Sequence, residues 1–234
     1  MNKHLIPRIL FYIAGLLILA LGIILNTKCG LGVSPIISVA FSISAITKFN
    51  FGNMTFVLYA IFVLVELLIH LTLHHRYRVH PDRTPVIRRN LNLLLVMDLL
   101  QLPLSLIFTR FMNLFSAWIP APEGFGYQLL VLAGGIICTG IGAAMSLNMR
   151  IIPNPGDGIV QAISDFVKKS VGFTKNCFDL FNICLTCCIG LIFAHHLIGI
   201  GLGTVVAVLG VGRVIALFNH LFMKKMTCIA GVTQ

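Results

Sequence analysis

Charge is what this 234-residue chain has least of. Only 10% of its residues are Asp, Glu, Lys or Arg, against roughly a quarter in an ordinary soluble domain. Apolar residues make up 58% of the chain and its mean hydropathy is +0.97, more than a soluble core requires. Acids are scarcer still, seven against seventeen Lys and Arg. In a soluble protein the net charge of +10 would suggest nucleic acid. Here the basic residues sit in short loops beside apolar runs, so their expected role is to orient the chain in a membrane, and no nucleic-acid partner is expected. Recognisable reaction centres are also missing. There is no His-Glu-x-x-His, no Gly-x-Ser-x-Gly and no phosphate-binding glycine loop. The seven cysteines are odd in number and lie mostly within apolar stretches (Cys138, Cys177, Cys184, Cys187, Cys188), which excludes a disulfide framework. Cys184, Cys187 and Cys188 lack a second pair to complete a thiolate metal site and are expected as polarizable packing. The reading is of a protein that is not an enzyme and needs neither cofactor nor metal.

What the chain has in quantity is apolar length. Ile9–Leu25, Met54–Leu73, Leu91–Phe108, Leu129–Leu147, Asn176–Phe193 and Leu197–Phe222 each approach the roughly 20 residues that carry a helix across the hydrocarbon layer. Lipid offers no partner to open backbone groups, and the alternating pattern of a β-barrel is absent. The fold class is therefore all-α, a polytopic helical membrane protein whose first partner is the lipid bilayer. Lys3 and Arg8 followed by an apolar run have the outline of a signal peptide. That run is too long, and no small-x-small cleavage site follows it, so it is expected as a retained first span.

The sequence aligns with itself at an offset of 120 residues. Gly15 falls on Gly135, Gly22 on Gly142, Pro35 on Pro155, Ser44 on Ser164 and Gly52 on Gly172. Such a register is the mark of a duplicated unit, giving a first repeat over 1–118 and a second over 119–234. Each contains a short Pro-led segment, about Pro35–Lys48 and about Pro155–Lys169. Ser34 and Asn154 supply N-cap residue types, and proline suits the first helical position because its missing N–H would have been unpaired anyway. Helices of some 15 residues reach about 22 Å, against a hydrocarbon thickness near 30 Å.

Basic residues choose between crossing and re-entry for these short helices. Re-entry gathers Lys3, Arg8, Arg76, Arg78, Arg83, Arg88, Arg89, Arg150, Lys168, Lys169, Lys175, Lys224 and Lys225 on one side, leaving Lys28, Lys48 and Arg110 on the other. Crossing leaves the two sides nearly balanced and puts the most basic loop outside. The positive-inside rule favours six full spans plus two re-entrant helices, with both termini cytoplasmic. Three crossings per unit would invert the second repeat relative to the first. Transporters of that kind bind substrate or ions where paired half helices meet.

Five of the seven acids, Glu66, Asp98, Asp157, Asp165 and Asp179, lie in or beside apolar helices, where a charge costs on the order of 3 kcal/mol or more unless paired or hydrated. Arg213 in the last span is a candidate counter-ion. Asp157 sits at the third helical position after Asn154 and has two readings. It is either the acid of a capping box or a cation site at a helix mouth, with Gly156 and Gly158 allowing close approach and Gln161 following on the same helix. Its counterpart in the first repeat is Ile37, so charge-based chemistry would be asymmetric. Ser34, Ser38 and Ser42 form a small-residue stripe on the first short helix, more often a packing face than a ligand site. For Glu66 and Asp179 the plainer expectation is a polar link to a neighbouring helix. His70, His74 and His75 have the spacing of one metal-binding histidine box, but a single box is weak, and histidines near helix-end carbonyls are the expectation.

The run Gly22-Ile-Ile-Leu-Asn-Thr-Lys-Cys-Gly-Leu-Gly-Val-Ser-Pro35, with Gly52 and Gly201-Leu-Gly-Thr204, resembles the YczE-like family of bacterial integral membrane proteins over nearly the whole chain. The resemblance implies a bacterial plasma membrane and supplies no substrate and no site residue. The functional expectation is a secondary transporter or exporter of a small solute or ion, with a site near the two Pro-led helices. The alternative is a non-transporting accessory or scaffold protein assembling with a partner complex. A homo-oligomer or a membrane partner protein fits either reading.

Overall fold

The computed structural model describes residues 4–79 and 91–232, and among these every regular element is helical. The order is α1 (Leu5–Lys28), α2 (Pro35–Thr47), α3 (Phe51–Val79), α4 (Leu91–Trp118), α5 (Phe125–Asn148), α6 (Pro155–Val167), α7 (Val171–Ile189), α8 (Leu202–Phe218) and α9 (Lys224–Ile229), with π-helical turns at Gly190–Ala194 and Asn219–Met223. Among the described residues six stretches are long and apolar enough to cross a bilayer: Leu5–Lys28, Phe51–Arg76, Leu91–Trp118, Phe125–Asn148, Val171–Ala194 and Leu202–Ile229. Helices α2 and α6 have 13 residues each, about 20 Å, and stay well short of that length. Part of the basic set expected to orient the chain, Lys3, Arg83, Arg88 and Arg89, lies outside the described residues, as does Asp82.

Helices α1, α2 and α3 begin at Leu5, Pro35 and Phe51, and α5, α6 and α7 begin at Phe125, Pro155 and Val171, each 120 positions later. The short helices also end alike. Lys48 and Lys168 take left-handed backbone angles (φ 57° and 56°), and Ser44 and Ser164 donate their hydroxyls to the carbonyls of Phe49 (2.6 Å) and Lys169 (2.7 Å). Both starts use Pro at the first helical position, yet neither Ser34 nor Asn154 caps through its side chain. The capping box expected at Asn154–Asp157 does not form. The Asn154 main-chain carbonyl takes the N–H groups of Asp157 (2.8 Å) and Gly158 (2.9 Å).

At the centre α1 and α5 pack closely and antiparallel, because glycine lets their backbones touch. A Cβ placed on Gly142 would lie 2.7 Å from both Gly15 O and Leu19 Cα, and one on Gly15 would lie 2.7 Å from Ser146 N. Asn26 donates to Thr139 Oγ1 across this seam (3.2 Å). Helix α4 flanks α1 and α8 flanks α5, while α2 packs against α7 and α6 against α3. Each short helix therefore lies on the long helix of the other half. Their starts meet at residues 120 apart, the Ile36 side chain filling the space beside Gly156, where a Cβ would come 2.8 Å from Ile36 Cδ1.

The segment joining α5 to α6 turns back along the bundle. Arg8 donates to the carbonyls of Met149 (2.8 Å) and Arg150 (2.9 Å), satisfying the end of α5, and the Tyr12 hydroxyl holds Ile152 O (2.7 Å). From Pro155, α6 runs alongside α3 in the same direction, with Gly158 beside Glu66 and Phe166 beneath the Arg76 guanidinium (4.6 Å to the ring). The end of α5 (Ser146, Arg150) and the later half of α6 (Asp165) border one cavity.

Candidate functional site

That cavity is built on an antiparallel pair of helices. Glu66 and His70 are one turn apart on α3, and Asp98 and Gln101 one turn apart on α4, so both pairs point at the α3–α4 seam. All four are buried, from 7% exposure for His70 to 0% for Gln101. His70 Nδ1 and Asp98 Oδ2 are 2.7 Å apart, and Gln101 Nε2 donates to Glu66 Oε2 at 3.0 Å. The oxygen of the same amide, Gln101 Oε1, is buried without a partner among the described residues. Helix α6 closes the third side at Gly158, which has room for no side chain: a Cβ there would lie 2.7 and 2.9 Å from the two Glu66 carboxylate oxygens and 3.1 Å from Gln101 Oε1. The adjoining cavity measures about 570 Å³ and is lined also by Arg150, Gln161 and Asp165.

The corresponding place in the other half is closed. Position 38 answers to 158 and 186 to 66, and there Ser38 Oγ and Thr186 Oγ1 form a 2.7 Å hydrogen bond. A serine with a threonine fills the room that a glycine leaves for a carboxylate. The expected asymmetry in charge is present, although its sharpest expression is Glu66 against Thr186 rather than Asp157 against Ile37.

The remaining candidates sit elsewhere. Asp179 is buried on α7 with Lys175 Nζ 3.9 Å away, four residues earlier. Asp157 lies within the electrostatic reach of both, and Asn154 adjoins Tyr59 of α3. These form a second polar group at the mouth of α6, separate from the Glu66 cluster. Ser34 starts α2 and Gly156 meets Ile36. Arg213 is exposed on α8 and makes no ion pair with an acid among the described residues.

Two members of the cluster escape sequence reasoning. His70 is a buried partner of Asp98 and not a helix-end histidine, since α3 runs on to Val79. Gln101 attracts no notice in a sequence. The available signal was the pairing of Glu66 with His70 at i,i+4 and Asp98 with Gln101 at i,i+3 on consecutive apolar helices. Among the described residues, Glu66, His70 and Asp98 form the one group of His, Cys, Asp or Glu with metal-ligand geometry, their donor atoms all within 4.8 Å of one another.

Six long apolar helices among the described residues define a multi-pass helical membrane protein, with a buried polar cluster between α3, α4 and α6. The chain belongs to a family of unknown function, DUF6198, whose model matches residues 6–220. No curated protein and no solved structure matches it.

Proposed function

We propose that this protein is a secondary transporter of a small solute or ion, built from two inverted copies of one unit, with its site in the cavity beside Glu66. The observation that carries the reading is the meeting of a Pro-led half helix with buried ionisable groups: α6 delivers Gly158 against Glu66 and Gln101 at the wall of a polar-lined cavity. Buried acids within a membrane protein are costly and mark pathways by default, and half helices at repeat interfaces are where transporters hold their substrates. The shared 120-residue spacing of helix starts supports the duplication. The return of α6 to the end of the bundle where α5 finishes supports re-entry, and with it an arrangement in which both termini are cytoplasmic. On the likeness of Gly22–Pro35 to YczE-like proteins, we place the protein in a bacterial plasma membrane.

The test is flux in vesicles reconstituted with the purified protein, followed with an internal pH dye and with tracer ions and metabolites. Transport is expected in the unaltered protein, and Glu66→Gln is expected to abolish it while the variant still reaches the membrane and elutes as the unaltered protein does. Absence of flux across the whole set, together with co-purification of a stable partner complex from the membrane, would favour a non-transporting accessory protein and end this reading.

A further inference from the structure

We propose that Glu66, His70, Asp98 and Gln101 bind a divalent transition-metal ion of the Mn²⁺, Fe²⁺ or Zn²⁺ class. Three donor groups come within 4.8 Å of one another. Metal–ligand bonds of about 2.0–2.2 Å place opposite ligands at most about 4.4 Å apart, so the shells differ by a few tenths of an ångström, within the reach of side-chain rotation. A fourth donor is independent of the acids. Gln101 Oε1 is wholly buried, has no partner among the described residues and faces the Glu66 carboxylate across the space that Gly158 leaves open. An unpaired amide oxygen in an apolar interior is costly, and a metal cation would satisfy it and both carboxylates together. Arg150 and Asp165 also line the cavity. The cavity supplies an entry path.

The donor set decides the class of ion. One imidazole with three oxygens suits Mn²⁺, Fe²⁺ and Zn²⁺. It lacks the thiolates that select Cu⁺, and its nitrogen is foreign to the all-oxygen shells of Mg²⁺ and Ca²⁺. The inference deepens the transport reading by naming the ion handled at that cavity, and rests on it only for the ion's movement.

Binding is measured on the purified full-length protein in detergent by equilibrium dialysis with Mn²⁺, and the bound ion is examined by electron spin-echo spectroscopy. About one Mn²⁺ per chain is expected, displaced by Zn²⁺ and retained in a large excess of Mg²⁺, with nitrogen modulation from one imidazole. Glu66→Gln and Asp98→Asn are each expected to weaken binding by at least about 100-fold, beyond the 10–100-fold range known for outer-shell partners, and Gln101→Ala by about 10-fold. Glu123→Gln, in the loop before α5, is expected to change nothing. Failure of the unaltered protein to bind Mn²⁺, absence of the nitrogen signal, or displacement by Mg²⁺ as readily as by Zn²⁺ would overturn the proposal without reference to any variant. Metal binding without flux would sustain the site and remove the transport reading; flux of another solute with no metal bound would do the reverse.

Discussion

Two glycines of α5, eight residues apart, are expected to respond to the same substitution in opposite directions. At Gly142 an added methyl meets only main chain of α1: Leu19 N, Leu19 Cα at 2.7 Å and Gly15 O at 2.7 Å. No rotamer change relieves such a contact, so the two central helices must separate along their whole seam. Overpacking costs typically about 1–3 kcal/mol, and three backbone atoms put this case at the upper end. Replacing a helical glycine by alanine returns about 1 kcal/mol, leaving a net loss of about 2 kcal/mol for Gly142→Ala. At Gly134 nothing lies within 4 Å of the new atom, so Gly134→Ala keeps the gain of about 1 kcal/mol. The variants are then separated by about 3 kcal/mol, which at about 2–4 °C per kcal/mol for a chain of this size means about 6–12 °C in Tm. Thermal unfolding in one detergent, followed by intrinsic fluorescence or by thiol exposure, measures the difference. Equal Tm values for the two variants, or a higher one for Gly142→Ala, would refute close backbone approach as the basis of the α1–α5 seam.

Lys48 ends α2 with φ 57°, a conformation that costs a non-glycine residue about 1–2 kcal/mol. Lys48→Gly is expected to raise stability by about 0.5–1 kcal/mol after the entropy of glycine is counted, and a lowered Tm would contradict it. The Ser38–Thr186 bond should give a coupling near 0.6 kcal/mol in a double-mutant cycle of Ser38→Ala with Thr186→Val, the average for such bonds in membrane proteins; additive single effects would deny the pairing of α2 with α7. In a cysteine-free background, Lys48→Cys and Lys169→Cys are expected to react with impermeant reagents from opposite sides of the membrane, and labelling of both from one side would exclude two re-entrant helices.

Hydropathy was enough to locate the six spans, because lipid demands unbroken apolar length whatever the packing. The starts of the short helices were legible as well, since Pro35 and Pro155 can occupy few other places in a helix. Boundaries followed hydropathy only approximately. The last span was expected over Leu197–Phe222, yet α8 starts at Leu202, because Gly199 adopts φ 78° and Gly201 is extended, and the helix continues through a π turn to Ile229. The site was half legible. Glu66 and Asp98 drew attention as charges in grease, but nothing in a linear sequence says that their helices pair with these positions level. His70 lies near the end of an apolar run, where a histidine normally faces water, and only the continuation of α3 buries it. Asn154 stands at the N-cap without capping through its side chain, while its main-chain carbonyl takes the N–H groups of Asp157 and Gly158.

The contact between Ile36 and Gly156 constrains how such a chain can be assembled. Residues at equal places in two halves that meet face to face are each opposed by their own counterpart. A homodimer of the first half alone would set isoleucine against isoleucine, two branched side chains contending for room that holds one. A homodimer of the second would set glycine against glycine and leave that room empty. The fit depends on different residues at one position, and that difference is available only when both halves are encoded separately and meet as unequal partners. Neither half carries, on its own, the instructions to pair with itself.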